Sequence, residues 1–159
     1  MTFDSWKEQV PDAIRDDPLW GMRVYQLSLF ASDVSWRDAG TLRDEERTQS
    51  VADQLYRAVG SIGANVAEGY SRGTGRDRAR FYEYALGSAR ESRDWYFKGR
   101  FGLGEDVVQH RLDFMTEIIR LLLTIIPQQR GGEIREPDPP YKASDEQMES
   151  LLENVPFAS

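Results

Sequence analysis

The sequence predicts an all-α fold: an antiparallel, up-and-down four-helix bundle with a polar N-terminal arm and an acidic C-terminal tail. Apolar residues recur every three or four positions in four long segments, which is the period of a helix with a buried face. Glycine and proline lie between these segments, where helices begin and end. There is no cysteine, so disulfides and thiolate metal sites are excluded. We predict an arm over 1–17, a bundle over 18–130 and a tail over 131–159.

The first predicted helix begins at Pro18, because a residue without an N–H is well tolerated in the first turn of a helix. It carries two apolar stripes on nearly opposite sides. The core stripe is Trp20, Val24, Leu27, Ala31 and Val34, and the second stripe is Met22, Tyr25, Leu29 and Trp36. A bundle helix in a monomer needs one apolar face, so the second stripe indicates subunit contact or cover by a tail. We place a loop over 38–44, with Gly40 as its pivot.

The second and third predicted helices pair across the turn at 71–75, and the third extends over about 75–100. A row of polar side chains lies beside the apolar stripe of the second helix. Because buried polar groups need hydrogen-bond partners, we predict an interhelical network that sets the register of these two helices. Its members are Gln54, Arg57, Ser61, Asn65, Glu68, Ser88 and Glu91. A catalytic pair of carboxylates, Glu68 and Glu91, is the alternative interpretation, and we favour the structural one.

Three runs in this central region carry a family resemblance. They read QLYRAVGSI over 54–62, NVAEG over 65–69 and ALGSARE over 85–91, with Arg72 in the basic turn between the helices. The pattern resembles that of the four-helix-bundle proteins encoded in intervening sequences of bacterial large-subunit ribosomal RNA genes. Residues 41–45 depart from the family pattern, which usually has Phe-Pro and a Glu before the second helix.

The resemblance implies an up-and-down four-helix bundle that often assembles as a ring-like homopentamer. Some members of this family are the accessory variability proteins of diversity-generating retroelements, which bind a reverse transcriptase and nucleic acid. Many relatives have no assigned activity. The resemblance therefore implies a fold and an assembly more directly than a function.

The densest basic run of the chain follows the turn after the second helix. Arginines mixed with aromatic residues suit nucleic-acid phosphates and bases, and they suit a protein interface equally well. The candidate nucleic-acid or partner surface is Arg72, Arg76, Arg78, Arg80, Arg90, Arg93 and Arg100. A subunit interface, a nucleic-acid surface and a solvated face all stay open, in that order of preference.

The fourth helix is predicted over 105–129, and its apolar face is wider than a single seam. Several helices thus carry more apolar surface than a monomer needs, which indicates a homo-oligomer. The candidate subunit-interface residues are Met22, Tyr25, Leu29, Trp36, Leu86, Phe97, Phe114 and Leu121. In the proline-rich tail, residues 144–147 resemble a capping box. A short docked helix near 144–153 and a free acidic tail are both open.

The net charge is −7, and the excess negative charge lies in the arm and the tail. Affinity for nucleic acid depends mainly on cations that meet phosphates, so this distribution disfavours nucleic acid as a partner. No apolar segment reaches the length of a membrane span, and residues 1–11 lack the apolar core of a signal peptide. We therefore expect a cytoplasmic protein that has no membrane partner.

His110 is the only histidine, and we predict that it lies on the surface of the fourth helix. A di-iron bundle needs a Glu-x-x-His motif on each of two helices, and the chain has neither. We predict no catalytic residue, cofactor or metal, and no enzyme activity. The preferred function is an oligomeric adaptor or scaffold that binds a protein partner, either alone or together with nucleic acid. The alternative is an RNA- or DNA-binding accessory protein that uses the Arg-rich region.

Overall fold

The computed structural model describes residues 1–131 and 145–158 of the 159-residue chain. Every regular element in these two ranges is helical, which confirms the all-α prediction. Two 3₁₀ turns, Pro18–Gly21 and Glu46–Thr48, accompany the α-helices. The α-helices are α1 (Phe3–Lys7), α2 (Asp12–Arg15), α3 (Arg23–Arg43), α4 (Gln49–Tyr70), α5 (Gly75–Lys98), α6 (Arg100–Leu103), α7 (Glu105–Arg130) and α8 (Asp145–Glu153).

The long helices α3, α4, α5 and α7 pack side by side as a helical bundle. Along α4, Gly60 faces Ser32 and Gly63 faces Ser28, so these two helices run in opposite directions. A Cβ atom on Gly63 would lie 3.4 Å from the Cβ of Ser28, which shows how closely α3 and α4 approach. The small residues of α4 thus allow the two helices to pack closely. The stability gained from this packing outweighs the cost of glycine's low helix propensity.

An aromatic cluster joins the N-terminal arm to the bundle. The ring of Phe30 in α3 lies 5.3 Å from Phe3, 5.2 Å from Trp6 and 5.9 Å from Phe114 in α7, measured between centroids. The indole N–H of Trp6 donates to Oδ2 of Asp33 at 2.6 Å. Phe3 and Trp6 are buried, so the predicted polar arm contributes apolar side chains to the core.

The predicted loop over 38–44 is wrong, because α3 continues through these residues to Arg43. Leu42 is fully buried, and its position one turn after Asp38 extends the core stripe of the helix. Burial of a leucine side chain contributes about 1.5–3 kcal/mol, which exceeds the roughly 1 kcal/mol cost of Gly40 inside a helix. The helix also starts later than predicted: Pro18 begins a 3₁₀ turn that Asp17 caps, and α3 begins at Arg23.

The C-terminal segment contains the short helix that was one of the two alternatives for the tail. Helix α8 contacts α7 and α1. Leu152 and Val155 are buried against the core, and the acidic side chains of α8 are exposed. Most of the predicted proline-rich part of the tail, residues 132–144, lies outside the described residues.

Candidate functional site

A buried cluster of polar side chains joins three helices of the bundle. Arg111 in α7 is fully buried and donates from Nε to Oδ2 of Asp38 in α3 at 2.7 Å and from Nη2 to Oδ1 at 3.1 Å. Tyr96 in α5 donates its hydroxyl to the same Oδ2 at 3.0 Å. Burial, followed by the Asp38 charge, raises the pKa of Tyr96 well above its usual value. The phenol therefore stays neutral and acts as a donor.

Arg111 and its neighbour His110 also bind main-chain oxygens of the C-terminal segment. Nη2 of Arg111 donates to the carbonyl of Pro156 at 2.7 Å. Nε2 of His110 lies 2.6 Å from the carbonyl of Leu151, and Nη1 of Arg111 lies 2.9 Å from Nδ1 of His110. Because a carbonyl only accepts and a guanidinium only donates, the proton of the neutral imidazole is on Nε2. The imidazole therefore accepts a hydrogen bond from Arg111 and donates one to the tail.

A cation–aromatic contact completes this arrangement. The guanidinium of Arg37 lies 4.7 Å from the ring centroid of Phe157, and that of Arg111 lies 5.3 Å from the same centroid. We call Arg37, Asp38, His110 and Arg111 the tail-binding site. Asp38 holds Arg111 in place, and the other three residues touch the tail. Chemically, the site recognises two peptide carbonyls and one aromatic ring.

Protonation of His110 is expected to weaken this site. The pKa of His110 is lowered from its usual 6.5, first by burial and also by the Arg111 charge, while the Leu151 carbonyl and the carboxylates of Asp38 and Asp113 oppose the shift. The contribution to stability is then complete above pH 6.5 and is lost as the pH falls toward the lowered folded-state pKa. We expect the free energy of unfolding to decrease there by at most about 1.4 kcal/mol per pH unit.

Urea unfolding at about pH 7.5 and about pH 5.5 measures this effect. His110→Gln is the matched control, because a glutamine amide still donates to the Leu151 carbonyl but does not titrate. Its unfolding free energy should depend less on pH than that of the natural chain. An identical pH dependence in both proteins would show that His110 is not the group responsible.

The sequence prediction for His110 is wrong, since the imidazole is buried and bonded rather than on the surface. Asp38 and Arg111 were not predicted as functional residues at all. A signal was available: Arg111 follows Val108 by three positions and precedes Met115 by four, which is core spacing. A charged residue at a core-spaced position in one helix requires an opposite charge at such a position in another.

The predicted interhelical network is not formed within the described chain. On α4, Arg57 donates to Oε1 of Gln54 at 3.0 Å, and the side chains of Ser61 and Asn65 donate to carbonyls one turn earlier. All of these bonds lie inside one helix. The four side chains are exposed or half-buried, because the face of α4 that packs on its neighbours is the apolar and glycine face.

The other network members behave in the same way. Glu68 forms an ion pair with Arg72 at the end of α4. Glu91 accepts from Nε1 of Trp95 at 3.1 Å within α5. Ser88 is half-buried, and its carbonyl accepts from the hydroxyl of Ser92 at 2.7 Å. Glu68 and Glu91 therefore each bond to a neighbour on their own stretch of chain, rather than to each other.

The candidate basic surface is divided between the two ends and the side of α5. Near the start of α5, the guanidinium groups of Arg72 and Arg80 lie 4.5 Å and 5.5 Å from the ring centroid of Phe81. We call these three residues the Arg-Phe cluster. Exposed Arg76 belongs to the same end, and Arg78 there is half-buried with its Nε bonded to the Arg72 carbonyl.

The remaining arginines lie farther along α5 or beyond it. Arg90 is exposed, and Arg93 is half-buried beside Thr116 of α7, 3.3 Å from its hydroxyl. Arg100 lies past the opposite end of the helix. A helix rises about 1.5 Å per residue, so Arg76 and Arg100 are on the order of 36 Å apart. The seven arginines do not form one patch.

The candidate subunit-interface residues also separate into groups. Leu86 and Phe114 are buried inside the chain, so their assignment to a subunit interface is wrong. Their apolar surface is covered by the chain itself, as the contact of Phe114 with Phe30 shows. Trp36 and Phe97 are exposed to 65% and 52%. The half-buried members, which pack against the core, are Met22, Tyr25, Leu29 and Leu121.

Within residues 1–131 and 145–158, no three His, Asp or Glu side chains are grouped as a metal site requires. None of the helices in these ranges combines the length and the apolar character of a membrane span.

Comparison with known proteins places the bundle in a family. The family model described as 23S rRNA-intervening sequence protein matches residues 21–124, about two thirds of the chain. The chain belongs to this family. The resemblance seen in the sequence is thereby confirmed. The matched region includes the 3₁₀ residue Gly21, helices α3 to α6 and most of α7, whereas α1, α2 and α8 lie outside it.

A solved structure is similar to this member of the 23S rRNA-intervening sequence family. It is a protein of unknown function from the S23 ribosomal protein family of Bacteroides thetaiotaomicron, with 25% sequence identity and a TM-score of 0.61. The alignment covers 65% of this chain and 97% of the Bacteroides chain. No curated protein matches the chain. The tail-binding site therefore lies in the part shared with the family, and the tail that occupies it lies outside that part.

Proposed function

We propose that this chain is a cytoplasmic, non-enzymatic helical-bundle adaptor that works as a homo-oligomer and binds a protein partner. The observation that carries the proposal is a set of exposed aromatic side chains toward one end of the bundle. Phe101 is 85% exposed, and Trp36 and Phe97 are each more than half exposed. Large aromatic residues are enriched in the cores of protein interfaces. Several of them exposed together on one chain therefore indicate a surface that binds another protein.

The chemistry around these aromatics is that of an interface. The guanidinium of Arg100 lies 4.2 Å from the ring centroids of both Phe97 and Phe101. Trp36 in α3 meets Tyr56 in α4 edge to face, with centroids 5.6 Å apart. Arginine, tryptophan and tyrosine contribute most of the binding energy at interfaces of known energetics. We call Trp36, Tyr56, Phe97, Arg100 and Phe101 the aromatic end.

The assembly we propose is a homopentamer of up-and-down bundles. The family resemblance supports the number five, and the aromatic end supports self-association. In a ring of identical subunits, one patch of each copy meets a different patch of the next copy, so the aromatic end would be one of the two surfaces that each subunit contributes. The partner protein would then bind the assembled ring.

Light scattering over a wide range of protein concentration tests the assembly. We expect a mass that is a multiple of 18.3 kDa, and five times this value for the pentamer. Trp36→Glu should reduce the mass, because a buried unpaired charge destabilises an interface. Tyr84→Glu is the control, since Tyr84 is 51% exposed but lies in the first half of α5, away from Phe97. A monomer at every concentration, or dissociation by Tyr84→Glu alone, would contradict the proposal.

The Arg-Phe cluster supports a second candidate, an RNA- or DNA-binding accessory protein. Its two guanidinium groups lie against the ring of the half-buried Phe81, and arginine beside an aromatic ring is a combination used to bind single strands. Fluorescence anisotropy with RNA and DNA over a salt series tests this function. Binding that weakens steeply with salt and is lost in Arg76→Glu with Arg80→Glu would support it. Unchanged binding in that variant would exclude the cluster as the nucleic-acid surface.

A further inference from the structure

The tail-binding site has the properties of a peptide receptor. It contacts its occupant through main-chain carbonyls at Leu151 and Pro156, which any peptide of the same backbone path presents. One side chain of the occupant, the ring of Phe157, contacts the guanidinium groups of Arg37 and Arg111. Recognition of carbonyls plus one aromatic anchor is how a folded domain binds a short segment.

The occupant is attached to the bundle by few side chains. Among residues 145–158, Leu152 and Val155 are buried, whereas Ser150 and Asn154 between and beside them are exposed. The segment is therefore held by two buried aliphatic side chains, by the partly buried Met148 and Phe157, and by the two carbonyls. The segment resembles a bound ligand that is covalently attached to its receptor, because the main-chain hydrogen bonds of α3 and α7 do not involve it.

Charged side chains also meet where α8 docks, outside the tail-binding site itself. A cleft of about 390 Å³ is lined by Asp4, Lys7 and Arg23 from the arm and α3, and by Glu149 and Glu153 from α8. Lys7 is ion-paired with Asp4 at 2.7 Å, so Arg23 supplies the net positive charge beside the acidic helix. A complementary charge of this kind favours the docking of an acidic segment.

We propose that the tail-binding site accepts the same C-terminal segment from a second copy of the chain, so that residues 151–157 are exchanged between subunits. Helix α7 ends at Arg130 and α8 begins at Asp145. At about 3.5 Å per residue, the intervening chain can extend to at most about 50 Å, which exceeds the roughly 39 Å length of α7. Exchange of an identical element needs no new contact, since both copies already contain the site and its ligand.

This inference goes beyond the proposed function, because it concerns the tail-binding site and does not require the aromatic end, although Phe101 and Phe157 line one cleft. It also gives a function to the C-terminal segment, which lies outside the region matched by the family. The site belongs to the region shared with the family, while the ligand segment lies outside it. A subunit that exchanges its tail would be joined to its neighbour by a contact in addition to any interface at the aromatic end.

Binding of a labelled peptide of residues 145–159 to full-length protein tests the proposal by fluorescence anisotropy. In the natural chain the attached tail competes, and its effective concentration is in the mM range. We therefore expect the full-length variant Leu152→Ala with Phe157→Ala, whose own tail is weakened, to bind the natural peptide about tenfold or more tightly than the natural chain does. Ser150→Ala with Asn154→Ala changes exposed tail positions only and should bind like the natural chain.

The location of the peptide is tested on the variant with the weakened tail. Adding Arg37→Ala, or using a Phe157→Ala peptide, should weaken binding several-fold, because each removes the same ring contact. Far-UV circular dichroism confirms that the bundle is folded in each variant. The proposal is overturned if the folded weakened-tail variant does not bind the peptide at mM concentration, or if the natural chain binds it equally well. Binding that is insensitive to Arg37→Ala also overturns it. Because an exchanged tail would also join subunits, the mass measurement for the aromatic end is repeated on the variant with the weakened tail, in which the tail contact is reduced.

Discussion

Replacement of Asp38 by alanine is expected to lower the free energy of unfolding by about 3–5 kcal/mol. The substitution leaves the guanidinium of Arg111 buried without its ion-pair partner, and it removes the acceptor of the Tyr96 hydroxyl. A buried charge that loses its partner keeps the full cost of its desolvation, which is why the effect is large. Urea unfolding followed by far-UV circular dichroism measures the loss.

Asp53→Ala is the matched control for this substitution. Asp53 pairs with Arg43, but both side chains are well exposed, so its removal should cost about 0–1 kcal/mol. The double variant Asp38→Ala with Arg111→Met should lose less than Asp38→Ala alone, because no unpaired charge remains. Equal losses in Asp38→Ala and Asp53→Ala would mean that the buried pair does not contribute as its geometry implies.

Replacement of Phe30 by alanine is expected to cost a similar amount, about 3–5 kcal/mol, through loss of apolar burial and the cavity that remains. Phe30 is fully buried and contacts the rings of Phe3, Trp6 and Phe114. Its removal therefore weakens the attachment of α1 as well as the contact between α3 and α7. The urea midpoint should fall, and tryptophan fluorescence should change as Trp6 becomes exposed.

Phe101→Ala provides the control for Phe30→Ala. The same atoms are removed, but Phe101 is 85% exposed, so the free energy of unfolding of the monomer should change by less than about 0.5 kcal/mol. A loss from Phe30→Ala no larger than that of the control would show that the aromatic cluster does not hold the arm on the bundle.

The periodic parts of the fold were predictable because their signals are local. The predicted third helix over 75–100 corresponds to α5, and the fourth over 105–129 corresponds to α7. Both boundaries follow from residues at the helix ends: Thr74 caps α5 through its hydroxyl, and Gly104 has a positive φ of 86° that suits glycine. The family pattern lies in the adjacent helices α4 and α5, and it was recognisable for the same reason, because its signals are also local.

The tail-binding site was not predicted, because it depends on pairing between distant residues. Asp38 and Arg111 are 73 residues apart. Asp38 was placed by its local sequence in a loop beside Gly40, and Arg111 was given no role. The polar row on α4 produced the opposite error. Its regular spacing indicated an interhelical network, but spacing alone does not show which side of the row faces the neighbouring helix.

The distance along the chain between Asp38 and Arg111 also determines when their ion pair forms during folding. Helices α4 and α5 are joined by a short turn and can pair early, whereas α3 and α7 must close a long loop before the carboxylate meets the guanidinium. A contact that forms late is largely absent from the folding transition state. Its loss therefore accelerates unfolding and leaves the folding rate nearly unchanged. The buried pair thus prolongs the lifetime of the native state more than it guides the chain toward that state.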